Sequence, residues 1–327
     1  MQRCTSGIRA AIASALLVVL LSLGVSDARA ASLRVGDIVV SDMTTKSIIR
    51  VDPASGEQDL ISSGGSLVTP SAISIGPGGE VLVADTGVDG TGAIVSVDPS
   101  TGAQTTLASG GFFDHPVGIT LDRDGTALVT MFDGGEIIRV NLSSGAQSVV
   151  AQGLTFPAYG VTDGSGQIFV GRGPQTNAVI RVDTAGGAQS VLSEGGYLPS
   201  TSLSALALDS NGNVVMFVEG GGGSVIRIDR VSGQQSLISS GGFLSFDLEG
   251  IAVDNAGNIL VTVPGDHALI QIDPLSGRQT LVSLGGSLVE PFSVAVVPAP
   301  EPCDAALLAT GALSVMLARR VKLLLAR

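Results

Sequence analysis

The chain has 327 residues, 44% of them apolar, with 45 glycines, only 3% aromatics and no tryptophan. Its formal net charge is −12, and residues 31–302 concentrate it with 10 basic against 27 acidic side chains, a formal −17. Such a surface repels phosphate backbones and excludes nucleic acid as a partner, while drawing in cations and basic groups. Both cysteines, Cys4 and Cys303, lie in the terminal segments, so the body has neither a disulfide framework nor a CxxC metal site.

Residues 1–30 read as a secretory signal. Arg3 and Arg9 supply the positive start, Ile12 to Leu23 the apolar stretch, and Ala28-Arg29-Ala30 the small-x-small cleavage triplet. Signal peptidase is therefore an expected processing partner, with Ala31 as the mature start.

From there one phrase recurs six times: an Ile/Val-rich strand ending in Asp, a Ser-Gly turn, then Gln and a second strand. Its Asp position is marked by Asp52, Asp98, Asn141, Asp183, Asp229 and Asp273, at steps of 46, 43, 42, 46 and 44 residues. A unit of about 40–50 residues made only of short strands is the signature of a β-propeller blade. Residues 31–297 are thus expected to form one all-β domain, a six-bladed propeller of four-stranded antiparallel blades. In the clearest unit, apolar runs Gly250–Asp254, Ile259–Val263, Leu269–Asp273 and Gln279–Ser283 are separated by Gly, Pro and Asn. The repeated Asp residues read as turn formers whose side chains cap their own backbone, not as catalytic carboxylates. The chain opens partway through a blade, with Gly36–Val40 already a second strand, and ends on an unpaired first strand, Pro291–Val297. That last strand is expected to close the ring by joining the N-terminal blade, which removes an open seam.

Pro298 to Pro302 ends the regular pattern. An apolar segment follows, Ala305 to Ala318, then the basic group Arg319-Arg320-Val321-Lys322. Fourteen helical residues reach roughly 21 Å, short of a hydrocarbon core of about 30 Å. The order Pro300-Glu301-Pro302, apolar stretch, arginine cluster resembles the PEP-CTERM sorting tail of bacterial exported proteins. The resemblance implies that residues 298–327 are an address read by an exosortase. The protein then ends at the cell surface or outside the cell, and touches the membrane only through its C-terminus.

Within a blade, alternating strand directions put the turns between strands one and two, and three and four, on one face. The loops between strands two and three share the other face with the blade-to-blade linkers. The first face repeats itself; the second varies from blade to blade, as recognition surfaces on rigid scaffolds do. Asp42, Asp85, Asp133, Glu219 and Asp266 stand at the ends of second strands on the variable face. Asp114, Asp247, Glu249 and Glu290 sit in linkers beside innermost strands. Asp42, Asp85, Asp133, Glu219, Asp247, Asp266 and His267 form the candidate ligand-binding face. Glu249, Asp247 and Glu290 are candidate ligands for Ca²⁺ or another divalent cation, which takes six to eight oxygens. Asp114 and His115 are the candidate acid–base pair. No nucleophile elbow, zinc-protease helix or phosphate loop occurs, so the reading leans away from catalysis.

The stretch PSAISIGPGGEVLVADTG, Pro70 to Gly87, resembles an NHL-type repeat, and its strand wording is similar to the SMP-30-like gluconolactonases and the streptogramin-lyase-like propellers. In the lactonase-like family a Glu entering the first blade binds a divalent metal with Asn and Asp from other blades. Leu248-Glu249-Gly250 matches that Glu motif, which implies a metal role for Glu249. Three functions remain: a non-catalytic binding scaffold, a metal-dependent hydrolase or lactonase, and a structural component of the cell envelope or matrix.

Overall fold

A computed structural model of the chain describes residues 32–122, 125–172, 178–198, 205–218, 222–244 and 249–299. The expected signal, residues 1–30, and the expected sorting tail from residue 300 onward lie outside these residues. Twenty-four described strands form six four-stranded antiparallel sheets. Blade one consists of Pro291–Val296, Ile38–Asp42, Ser47–Val51 and Gln58–Ser63, from the inside outward. The C-terminal strand is therefore the innermost strand of the N-terminal blade, paired from Ile38 with Val296 to Asp42 with Pro291. The ring closes as the repeat requires. The innermost strands of blades two to six are Pro70–Ile75, Pro116–Leu121, Pro157–Thr162, Leu206–Leu208 and Ile251–Val253.

Middle strands such as Val81–Asp85 and Ile259–Val263 are buried at every position. The reason is that alternate side chains enter two different cores. Ile38 and Val40 pack against blade six, whereas Val39 packs against blade two. Six apolar clusters result, one in each interface between neighbouring blades. Every linker adds one plug to its interface: Leu67, Phe113, Leu154, Leu198, Leu244 or Leu288, none more than 7% exposed. Continuous Val/Ile runs are the composition that burial on both faces selects.

The polar letters of the repeat join blades to one another. Asp52 accepts backbone N–H bonds from Ala54 and Ser55 within its own turn, and Asp98, Asn141, Asp183, Asp229 and Asp273 do likewise. Gln reaches further. The Gln235 carboxamide donates to Ser193 Oγ (2.9 Å) and the Gly195 carbonyl (3.0 Å) of the preceding blade, and its Oε1 accepts the Tyr197 N–H (2.7 Å). Gln58, Gln104 and Gln279 repeat all three bonds, so the device also spans the seam between blades six and one. A Cβ on Gly65, Gly111, Gly196, Gly242 or Gly286 would stand 2.6–2.7 Å from the Gln Oε1, at backbone φ of +61° to +66°. The second glycine of the recurring Gly-Gly pair is thus fixed both by its left-handed conformation and by the approach of the glutamine.

Candidate functional site

The linker face divides its acids into inward and outward groups. Asp42 ends a second strand and is fully buried. Its Oδ2 accepts the N–H groups of Val289 (2.7 Å) and Glu290 (2.6 Å), and its Oδ1 those of the Thr45 backbone and hydroxyl (both 2.8 Å). Asp85, 2% exposed, holds the next linker in the same way through Val68, Thr69 and Gly87 N–H groups. These two carboxylates do not face an approaching ligand. They fix linkers whose neighbouring residues do, because a buried carboxylate must be matched by donors and the linker N–H groups are within reach. Asp133 and Asp266 lie beyond the ends of their strands, in the loops that follow, and both are exposed. Glu219 and Asp247 lie outside the described residues.

Asp114, His115 and Asp133 come together between two blades. One ligand atom from each lies within 4.8 Å of the others, and His115 Nδ1 stands 2.6 Å from Asp133 Oδ2. His115 has φ of +51°, held by its N–H to the Gly90 carbonyl and by the Phe132 N–H to its own carbonyl. The imidazole also rests on Gly90, where a Cβ would come within 2.7 Å of Nδ1. The expected Asp114–His115 pair therefore gains a third member, and the hydrogen-bonded partner of the ring is Asp133.

A pocket of about 490 Å³ opens at the channel mouth between blades six and one. Glu249, Glu290, His267 and Thr44 supply its polar groups, and Phe292, Val289 and Pro264 its apolar ones. Thr44 Oγ donates to Glu290 Oε2 at 2.5 Å. His267 is the left-handed cap of a short 3-10 turn over Pro264–Asp266, and its Nδ1–H donates to the Val289 carbonyl. Phe292 meets Tyr159 at 6.4 Å between ring centroids, tilted by 47°. These rings belong to blades one and four, which face each other across a six-blade ring, so Phe292, which lines the pocket, packs across the axis against Tyr159. Burial pushes the Tyr159 phenol well above its ordinary pKa, and the negative charge of Glu249 adds to the shift.

Of the expected metal ligands, Glu249 and Glu290 share this pocket. Among the described residues they form no three-donor group able to close on an ion; the group that does is Asp114, His115 and Asp133. Tyr159, Phe292 and Thr44 were not singled out in the sequence. One signal was available: Tyr159 and Phe292 are the aromatic residues of the described innermost strands, in a chain with few aromatics.

No protein-family model matches the chain, and no curated protein matches it. Solved structures do. A chain of a nidogen/laminin complex superposes with a TM-score of 0.68 at 14% identity, covering 80% of this chain and 98% of that one. A streptogramin B lyase superposes at 0.58 with 17% identity, covering 79% and 83%. The selenomethionine-substituted virginiamycin B lyase from Staphylococcus aureus gives 0.58 with 14% identity, covering 80% and 86%. At these identities the likeness shows a shared six-bladed fold. It carries no activity across, because one scaffold hosts unrelated sites.

Proposed function

We propose that this protein is an exported binding scaffold that offers its linker face, centred on the pocket at the channel mouth, to a ligand, cation or protein without transforming it. The carrying observation is that pocket: Glu249, Glu290, His267 and Thr44 share its walls with Phe292, Val289 and Pro264. A few convergent polar groups beside apolar walls make a recognition site, and two carboxylates in a chain of net charge −12 favour a cation or a basic group. The sorting tail supports placement at the cell surface or in a matrix. Signal peptidase and an exosortase are then the processing partners. Calcium and a panel of small amines, titrated calorimetrically, test the reading. Saturable binding that weakens about tenfold in both Glu249→Gln and Glu290→Gln supports it, since each substitution removes one charge-assisted contact. Binding indifferent to both substitutions, or none across the panel, refutes it.

A second reading, a metal-dependent hydrolase or lactonase, shifts its metal site from Glu249 at the channel mouth to Asp114, His115 and Asp133, whose approach favours it. Two carboxylates and an imidazole fit a divalent ion, which there would supply Lewis acidity while the protein holds the ligands in place. Lactone hydrolysis that is lost with EDTA, restored by metal and lost in Asp133→Asn would establish it. Hydrolysis indifferent to chelator would remove it.

A further inference from the structure

On the opposite face, the turn face, one position of the repeat is filled in five blades and empty in one. The residue two before the end of the Ile-x-Val-Asp phrase is Arg50, Arg139, Arg181, Arg227 or Gln271, paired across the sheet with Val39, Leu128, Phe169, Val215 and Leu260. In four blades its donor meets the Asp that opens the turn before the second strand. Arg50 grips both oxygens of Asp37 (2.7 and 2.9 Å). Arg139 reaches Asp122 (2.9 Å), Arg227 reaches Asp209 (2.8 Å), and Gln271 reaches Asp254 (3.3 Å). Arg181 donates instead to the Arg230 carbonyl. In blade two the corresponding residue, paired with Leu82, is Ser96.

The acceptor side of this pair is nevertheless present. Gly76 holds the turn position of those Asp residues, with its N–H on the Glu80 carbonyl (2.7 Å) as Asp122 has on Thr126 and Asp209 on Asn213. A Cβ at Gly76 would stand 2.3 Å from Glu80 Oε1, so the Glu80 carboxylate lies where an Asp side chain would have begun. Among the described residues that carboxylate has no hydrogen-bond or ion-pair partner. Asp98 borders the same space as its counterpart Asp52 borders Arg50, whose Nη2 is 3.5 Å from Asp52 Oδ2. The result is a pocket of about 580 Å³ with Glu80, Asp98, Ser96 and Thr105 in its walls.

We propose that this pocket binds a guanidinium group from outside the repeat, in the place that Arg50 occupies in blade one. In blade one Arg50 is held by Asp37 and by Asp59 (2.7 Å), with Asp52 at 3.5 Å; in blade two Glu80 and Asp98 line the pocket, and Thr105 stands where Asp59 does. Two carboxylates and a hydroxyl favour a guanidinium, through charge-assisted hydrogen bonds, over a monovalent metal ion or an uncharged amide.

L-argininamide is the probe and citrullinamide its uncharged counterpart, in calorimetric titrations of the full chain at low salt. Expected are saturable binding of argininamide, about tenfold weaker binding of citrullinamide, and about tenfold weaker argininamide binding in Glu80→Gln. Ser96→Arg supplies the missing side chain from within, so it should abolish binding while keeping the circular dichroism of the parent. A capped tripeptide with a central arginine distinguishes the source: binding as tight as argininamide assigns an arginine on a partner protein, and its exclusion assigns a free guanidine. Equal binding of argininamide and citrullinamide, no saturation, or full binding by both Glu80→Gln and Ser96→Arg would overturn the proposal. Glu80→Gln, a change on a partly exposed residue, keeps the test decisive even where Ser96→Arg fails to fold.

Discussion

Truncating the inter-blade glutamines one interface at a time should give an ordered series of stability losses. Gln235 makes three bonds to the preceding blade. Gln147 faces Ala108 where other blades carry serine, and keeps two, to the Gly110 carbonyl (3.1 Å) and from the Phe112 N–H (2.9 Å). Gln189 keeps one, to the Gln152 carbonyl (2.8 Å). A net contribution of about 1 kcal/mol per bond gives roughly 3 kcal/mol for Gln235→Ala, 2 for Gln147→Ala and 1 for Gln189→Ala. All three residues open outermost strands, so differences in strand propensity and unfolded-state entropy cancel across the series. Urea unfolding followed by circular dichroism reads the losses as shifts in midpoint at constant slope. The cycle of Gln235→Ala with Ser193→Ala should show a coupling of about 1 kcal/mol. Equal losses at the three sites, or a reversed order, would refute the assignment of blade adhesion to these carboxamides.

Arg50→Met strands Asp37, 4% exposed, without its bidentate partner. It should cost about 3–5 kcal/mol in urea unfolding, with little recovery in Arg50→Lys, which lacks the planar fork. Tyr159 gives a pH signature: its phenol pKa is raised in the fold, so its contribution is complete below the ordinary value of 10.0 and is lost as pH climbs through the folded value above it. Unfolding midpoints from pH 8 upward should fall less steeply in Tyr159→Phe than in the parent, and identical slopes would contradict the burial of that hydroxyl. Asp42→Ala removes the acceptor for the Val289 and Glu290 N–H groups. It should cost about 2–4 kcal/mol and accelerate hydrogen exchange at those two amides, while the Gly-rich turns of the opposite face keep their protection.

The blade count, the strand order and the closure by Pro291–Val296 were all legible in the sequence. A blade is an antiparallel meander whose every turn carries its own chemistry, and the spacing of Asp52, Asp98, Asn141, Asp183, Asp229 and Asp273 reports that chemistry six times. The division into a repetitive face and a variable face follows from strand alternation alone. The orientation of individual acids does not. Asp42 and Asp85 resemble Asp133 and Asp266 in a linear reading, yet a place or two along the loop separates a buried linker anchor from an exposed carboxylate. Glutamine recurred in the phrase without a visible purpose, because its partners lie in the preceding blade and, at the seam, more than two hundred residues away.

The candidate pocket belongs wholly to the tertiary structure. Glu249 comes from blade six, Tyr159 from blade four and Phe292 from blade one, and no spacing in the chain predicts that their side chains meet at one axis. By itself the sequence determined the repeating unit, because short-range turn and strand preferences are written residue by residue. Which side chains converge and which are turned inward were decided only when the ring closed, since closure alone sets the distances between residues from different blades.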